Sequence, residues 1–218
     1  MKYCIYWVLA ALTVITPISS FAVNVSVTTL SVKGKPLTGL VVYVEPLEHQ
    51  AMPVNHKTVV VGQHFKAFAP YISVTQLGNP VEFINQDDIT HHIYSAVGKD
   101  RFSFKIKAGQ QRIKTNFSEP GEVAMGCNIH DWMSGYLLLL KTPYYAKTDS
   151  NGKVVLTIIQ PGKYQLTVWH PQMQEPNNRI KQIIDLQTDK TITIRLTSNM
   201  KPLPAQKSAD DFDFLSDY

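Results

Sequence analysis

Hydrophobic and polar residues alternate in many short segments of the chain, which is the pattern of half-buried β-strands. Turn signals rich in glycine, proline, aspartate and asparagine separate these segments. No long segment repeats with the 3.6-residue period of an amphipathic helix. Strands are predicted near residues 23–27, 40–44, 81–84, 102–106, 154–159, 164–168 and 192–196. The pattern predicts an all-β chain with one or two β-sandwiches.

The composition agrees with a folded chain and excludes some classes of function. Of the 218 residues, 44% are hydrophobic and 17% are charged, which is typical of globular proteins. The formal net charge is +4 and no block of lysine and arginine stands out, so nucleic-acid binding is not indicated. After the first segment, no apolar run is long enough to span a bilayer.

The first 22 residues have the pattern of a secretory signal peptide. Lys2 supplies a positive charge, residues 6–18 are mostly apolar, and Ala22 is the small residue before the expected cleavage site. An uncleaved N-terminal anchor is the alternative. We expect cleavage and a periplasmic protein, which loses Cys4 and keeps Cys127. An unpaired cysteine in an oxidising compartment is an intermolecular partner, an inert buried thiol or a functional thiolate.

Three possible metal ligands lie within seven residues around this cysteine. Cys127, His130 and Met133 offer a thiolate, an imidazole and a thioether, and the upstream pair His91-His92 offers another imidazole. A cysteine, two histidines and a distant methionine form the ligand set of type 1 copper sites. Copper is therefore the predicted metal. Zinc and a Cys/His hydrolase are weaker alternatives, since neither uses the methionine.

The motif resembles a known family. Cys-x-x-His-x-x-Met near the end of a β-sandwich resembles the ligand loop of cupredoxins, and its short spacing is that of amicyanin and pseudoazurin. Phe-Ile-Asn at residues 83–85, followed by His91, resembles the first-ligand region of amicyanin. The match runs from about residue 59 to 140. The whole pattern, including His-His-Ile-Tyr at 91–94 and Gly-Cys-Asn-Ile-His-Asp-Trp-Met at 126–133, more closely resembles periplasmic methylamine-utilisation-like proteins. That label does not establish a role in methylamine metabolism.

The resemblance implies a role for each residue. His91, Cys127 and His130 would be the strong equatorial ligands. Met133 would be the weak axial ligand. Asn85 corresponds to the cupredoxin asparagine that joins the two ligand loops by hydrogen bonds. His91 is preferred over His92 because of its spacing from Asn85. Neighbouring residues on a strand point to opposite faces, so both imidazoles rarely face one ion.

Other residues of the two ligand segments depart from a simple blue copper site. His92 replaces the usual asparagine after the first ligand, so it is either an additional ligand or a hydrogen-bonding neighbour of the site. Asp131 lies between two ligands and could place a carboxylate near the metal. Trp132 is either a core residue or an apolar shield beside His130, which cupredoxins typically keep near the surface.

The segments on both sides of this region resemble a carboxypeptidase-regulatory-like, transthyretin-like β-sandwich. The first has a Gly-Lys-Pro turn at residues 34–36, and the second has Thr-Asp-x-x-Gly at 148–152 and Pro-Gly-x-Tyr at 161–164. Each segment alone has too few strands for a stable domain. The expected domains are a sandwich from 23–48 and 142–199, a cupredoxin-like Greek-key sandwich from 49–141 inserted into or packed on it, and a disordered acidic tail, 200–218.

The predicted function is a periplasmic type-1-like copper protein that carries single electrons between redox partners and is not an enzyme. The alternative is a copper-binding or copper-handling protein for tolerance or delivery, which His92 and Asp131 motivate. A third alternative is an interaction sandwich with a vestigial site. The expected partner is a periplasmic redox protein or a copper-handling protein, with no nucleic acid and no membrane span after cleavage.

Overall fold

The computed structural model describes residues 22–48, 50, 52–96 and 98–206. The predicted signal peptide up to residue 21, with Cys4, lies outside the described residues, as does the predicted tail beyond residue 206. The described residues form sixteen β-strands and one short 3-10 helix, Pro176–Asn178, which confirms the all-β prediction. Among them, no helix has the length and apolar character needed to cross a bilayer.

The strands follow the predicted alternation of buried and exposed side chains. In β1, β13 and β14 buried residues occupy every second position over much of the strand, which is the period of a pleated sheet with one buried face. In chain order the strands are β1 (Val23–Leu30), β2 (Val41–Pro46), β3 (Val59–His64), β4 (Ala67–Ala69), β5 (Ile72–Gln76), β6 (Val81–Asn85), β7 (His91–Ser95), β8 (Phe102–Ile106), β9 (Gln111–Lys114), β10 (Gly121–Cys127), β11 (Ser134–Leu140), β12 (Tyr145–Lys147), β13 (Lys153–Ile158), β14 (Gly162–Trp169), β15 (Arg179–Leu186) and β16 (Lys190–Arg195).

Strands from the two ends of the chain build one pair of sheets, the flank sandwich. Its three-stranded sheet has the order β13-β1-β16, in which β1 is antiparallel to β13 and parallel to β16. Its four-stranded sheet has the order β12-β2-β14-β15. The buried faces of both sheets share one core, which includes Val25, Val42, Leu156 and Tyr164. Both sheets therefore need strands from before and after the central part of the chain.

The strands from β3 to β11 build a second pair of sheets, the central sandwich. The five-stranded sheet has the order β5-β11-β10-β7-β8, and the four-stranded sheet has the order β4-β3-β6-β9. Their shared core contains aromatic and aliphatic residues such as Phe83, Ile93 and Leu137. Cys127 and Met133 belong to the same core, so this sandwich holds both sulfur atoms of the predicted site.

The two sandwiches meet at a third apolar cluster. Ile72 and Leu138 on the outer face of the five-stranded sheet pack with Tyr43 and Trp169 of the flank sandwich. Trp169 Nε1 donates a hydrogen bond to Glu122 Oε1 at 2.8 Å, and Glu122 also forms an ion pair with a β15 arginine. The flank sandwich thus covers the β5–β11 half of the outer face. On β10 and β8, outward residues remain exposed.

Candidate metal centre

Strand pairing places His91 and Cys127 on one buried face. Cys127 ends β10 and lies opposite Ile93 of the antiparallel strand β7, while His91 begins β7. Residues two apart on a strand share a face, so His91 points to the same side as Ile93 and Cys127. His91 is fully buried and Cys127 is 5% exposed. The inward face of two adjacent strands therefore brings together residues that are 36 positions apart in the chain.

His130 completes a group of three ligand atoms. It lies in the short loop between β10 and β11, where Met133 N donates to His130 O at 3.0 Å and so forms a turn. Cys127 Sγ lies 3.7 Å from His91 Nδ1 and 3.9 Å from His130 Nδ1. The three ligand atoms all lie within 4.8 Å of one another. Both histidines present the same ring nitrogen to the sulfur.

The surroundings of the sulfur favour its thiolate form. Burial by itself raises the pKa of Cys127, but hydrogen bonds from His91, the Ile129 N–H and His130 outweigh it and lower the pKa to about 6. The Ile129 N–H donates to Cys127 Sγ at 3.4 Å. A thiolate is the form of cysteine that binds metal, so the polar contacts prepare this residue for that role.

Asp87 holds the far side of the His91 ring. Its Oδ2 lies 2.7 Å from His91 Nε2 in an almost completely buried contact. The same carboxylate accepts hydrogen bonds from Phe65 N at 2.7 Å and Lys66 N at 3.0 Å. Burial raises the pKa of Asp87, but these donors, His91 first, outweigh it and lower the pKa. An ionised Asp87 keeps a proton on His91 Nε2, so the proton that Nδ1 shares with Cys127 Sγ is the one that would leave if Nδ1 bound a metal.

Met133 and His92 occupy different environments from each other. Met133 is 1% exposed and lies in the core that contains Cys127, at the end of the ligand loop. His92 lies on the opposite face of β7 from His91, as strand alternation requires. Its Nε2 hydrogen-bonds with Ser103 Oγ at 2.8 Å, and Asn128 Nδ2 donates to its Nδ1 at 3.3 Å. The structure therefore does not bring His92 to the group of three ligand atoms.

The structure places the remaining predicted residues around the group. Trp132 is partly buried, and its ring centroid lies 5.2 Å from that of His130. Asp131 is exposed and lines a groove beside Cys127. Asn85 Nδ2 donates to Ile89 O at 2.7 Å and to a β8 carbonyl at 3.0 Å. Among its described bonds, none reaches the Cys127 loop, so Asn85 ties the His91 loop to β8 instead of joining the two ligand loops.

The donor set fits a soft metal ion. A metal ion typically has bonds of ~2.3 Å to sulfur and ~2.0 Å to imidazole nitrogen. One ion between Cys127 Sγ and the Nδ1 atoms of the two histidines, which lie 3.7 and 3.9 Å from the sulfur, can reach all three atoms at such distances. The residues that would hold the metal are His91, Cys127 and His130, with Met133 as the adjacent soft donor. Thiolate, imidazole and thioether together favour copper over hard cations such as magnesium or calcium.

Asp87 is a residue of the candidate site that the sequence analysis did not single out. It follows Asn85 by two positions in a polar run that resembles an ordinary turn. The sequence offers its spacing of four residues from His91, whereas the turn at Phe65-Lys66 that also binds it, with positive φ at both residues (52° and 56°), is visible only in the structure. The contact with that turn is long-range, so no local pattern predicts it.

Comparisons with known proteins give similarity to copper proteins only among solved structures. No family model and no curated protein matches the chain. A Cu(I) structure of an amicyanin point mutant has 20% identity and a TM-score of 0.35, over 39% of this chain and 85% of that chain. A purple cupredoxin from Nitrosopumilus maritimus has 18% identity and a TM-score of 0.33, over 38% and 97%. A copper-containing nitrite reductase from Thermus scotoductus has 24% identity and a TM-score of 0.36, over 51% of this chain and 28% of that chain. At these TM-scores the neighbours carry no weight for the function of this chain.

Proposed function

We propose that the protein is a periplasmic copper protein that carries single electrons, as a redox protein without substrate turnover. The observation that supports this proposal is the buried trio His91, Cys127 and His130, whose ligand atoms lie within 4.8 Å of one another. Bound copper would supply one-electron chemistry between Cu(II) and Cu(I). The chain supplies a soft donor set on two rigid strands and one short loop.

The position of the trio supports electron transfer at one end of the central sandwich. His91 is fully buried, whereas His130 is 8% exposed and follows Ile129, which is 48% exposed. A redox partner that docks on this loop would approach the site through the His130 side. Paired strands hold His91 and Cys127, so the chain would change the positions of these two donors little if the bound copper changed oxidation state. A low reorganisation requirement of this kind favours fast electron exchange.

The decisive experiment is to load the purified protein with Cu(II) and record its visible spectrum. We expect an intense thiolate-to-copper band that disappears in Cys127→Ser. His91→Gln should also lose or strongly shift the band, because it removes one of the three donors. The matched control is His92→Gln, on the opposite face of the same strand, which should keep the band. Absence of the band in the unmodified protein, or its persistence in Cys127→Ser, would overturn the proposal.

Copper delivery is the second candidate, and the groove beside the site favours it. Cys127, Asp131 and Met133 are among the residues that line this groove of about 530 Å³, so it lies directly beside the candidate ligands. Copper transfer and electron transfer differ in a direct measurement. Reversible voltammetry with copper retained through many cycles supports the electron carrier, whereas loss of copper to an apo-protein acceptor without reversible cycling supports delivery.

A further inference from the structure

The uncovered half of the five-stranded sheet carries a groove with a shallow floor. On the outer face of β10, the floor residues Ala124 and Gly126 have little or no side chain, and both line the groove. Tyr94 of β7 forms one wall and leans over Gly126, since a Cβ atom there would lie 3.0 Å from the phenol oxygen. Ser134 of β11 forms the opposite wall. A groove of this shape fits an extended peptide segment with small side chains.

The chain itself reaches this groove after leaving the flank sandwich. Lys201 N donates to Gln172 O at 2.8 Å, which holds the start of the segment on the flank sandwich. Five residues later, Gln206 Nε2 donates to Ser134 Oγ at 3.3 Å. The Gln206 amide oxygen is buried and has no hydrogen-bond partner among the described residues. The described chain therefore stops at one wall of the groove.

Cations lie on the other side of the groove. Strand register puts Ser134, Gly126, Tyr94 and Ser103 in one row across β11, β10, β7 and β8. Lys105 lies on the same face of β8 as Ser103, and Arg101 immediately precedes β8; both are exposed. In the described part of the chain, neither cation forms a salt bridge. β8 is an edge strand, and a lysine such as Lys105 on an edge strand also discourages aggregation. That role is independent of any acidic partner.

The segment that follows Gln206 is complementary to this surface in charge, size and reach. It reads Lys-Ser-Ala-Asp-Asp-Phe-Asp-Phe-Leu-Ser-Asp-Tyr, in which one lysine is followed by two small residues and then by two acids. From β11 to β8 is three strand spacings, or roughly 14 Å. Four or five extended residues at ~3.3 Å each cover about the same distance. Asp210 and Asp211 are four and five residues beyond Gln206.

We propose that residues 207–218 dock across the outer face of β10, β7 and β8. Ser208 and Ala209 lie over the groove beside Tyr94, and the Asp210-Asp211 pair contacts Lys105 and Arg101. This inference does not depend on copper, because the groove, the cations and the chain exit are features of the apo chain.

A labelling experiment without metal tests the docking. Residues 23–218 carry Cys127→Ser, which removes the native thiol and the metal centre, and Ala124→Cys, which places a reporter on the groove floor. We expect a maleimide to react roughly fivefold faster when Asp210→Lys and Asp211→Lys are added, as expected for the loss of two exposed ion pairs. High salt should raise the rate of the parent chain and leave the charge-reversed chain unchanged.

The matched control places the reporter at Val155→Cys, which is 59% exposed on the three-stranded flank sheet. Its labelling rate should not respond to the aspartate changes or to salt. Equal labelling rates at Ala124→Cys in the parent and charge-reversed chains would overturn the proposal, even if copper binding is confirmed separately.

Carbodiimide cross-linking identifies the paired residues in the unmodified chain. We expect a link within one molecule between Lys105 and Asp210 or Asp211, detected by mass spectrometry in the monomer fraction. Lys153 on the flank sandwich is the comparison amine and should not join the tail. Links found only between two molecules would replace the intramolecular proposal with a second copy as the occupant, and links spread evenly over the lysines would also overturn it.

Discussion

The carboxylate of Asp87 connects His91 on β7 with the turn between β3 and β4. It contacts the ring of His91 at 2.7 Å and accepts two backbone N–H groups from the turn that joins β3 to β4. That turn has both residues in the left-handed region, so its N–H groups converge on one acceptor. The carboxylate therefore sets the tautomer and the orientation of the first predicted ligand. Its role is positioning, because it acts through His91.

Replacing Asp87 should weaken the metal centre more than the fold. In Asp87→Asn the amide cannot hold the His91 proton as strongly, so we expect copper affinity to fall by about 10–100-fold. Competition against a copper chelator measures this change. Asp88→Asn is the matched control, because Asp88 is the exposed neighbour in the same loop. Equal affinities for both variants would remove Asp87 from the metal centre.

Sequence patterns separate two neighbouring histidines but not their partners. Alternation along β7 puts either His91 or His92 inward, and the spacing from Asn85 favours His91, which the structure places beside Cys127. The partner Asp87 depends on a loop path, and the hydrogen bonds of Asn85 depend on β8, which lies beside β7 only in the folded sheet. Local periodicity carries information about faces and none about these tertiary contacts.

Among the described glycines, the one in the turn before β13 has the shortest distance from its Cβ position to another backbone atom. Asp149 Oδ1 accepts hydrogen bonds from Asn151 N at 2.9 Å and Lys153 N at 2.8 Å. Gly152 has φ +70°, and its carbonyl accepts from Thr29 N of β1 at 2.8 Å. A Cβ atom on Gly152 would lie 2.6 Å from Thr29 O. The turn thus needs glycine both for its conformation and for contact with β1.

Two glycine variants separate these needs. Gly39→Ala introduces left-handed strain only, because no atom lies within 4 Å of its Cβ position, so we expect a loss of about 1 kcal/mol in the free energy of unfolding. Gly152→Ala adds a collision with backbone and should cost about 2–4 kcal/mol. Urea unfolding of the apo protein measures both. Equal losses would show that the approach of Gly152 to β1 is relaxed at little cost.

The sandwich junction contains a buried histidine that should make the whole molecule acid-sensitive. His170 follows Trp169 at the end of β14, and its Nδ1 accepts a hydrogen bond from Gln172 N at 3.2 Å. Burial, assisted by the positive charge of Lys147, lowers the pKa of His170 to about 4. The folded state therefore keeps this ring neutral at pH values where the unfolded chain, with a pKa near 6.5, is already protonated.

The sign of the resulting pH dependence follows from proton binding. Between pH 6.5 and 4 the unfolded state binds more protons at His170, so stability falls as the pH falls. The full loss is about 3 kcal/mol for a shift of this size. We expect His170→Gln to flatten the decrease in the free energy of unfolding between pH 6.5 and 4. The exposed His56→Gln is the control, and an unchanged profile in His170→Gln would contradict the assignment.

At the scale of the whole molecule, strand positions could be predicted and strand partners only in part. Alternation and turn residues locate most strands of both sandwiches, because each pattern is written in neighbouring residues. The parallel pairs β1–β16, β3–β6 and β5–β11 join strands that are distant in the chain or linked by other strands. Their registers depend on which faces meet in the two cores. A single sequence contains no local signal for that choice.

The position of β1 in the chain determines when its two ladders can form during synthesis. β1 is made first, yet its two partners, β13 and β16, begin at Lys153 and Lys190. All nine strands of the central sandwich, β3 to β11, lie between β1 and β13 in one continuous stretch. A nascent chain can therefore form the central sandwich, with the candidate metal centre, before the strands that pair with β1 have been synthesised. The last ladder to close is the one that joins the beginning of the polypeptide to residues near its end.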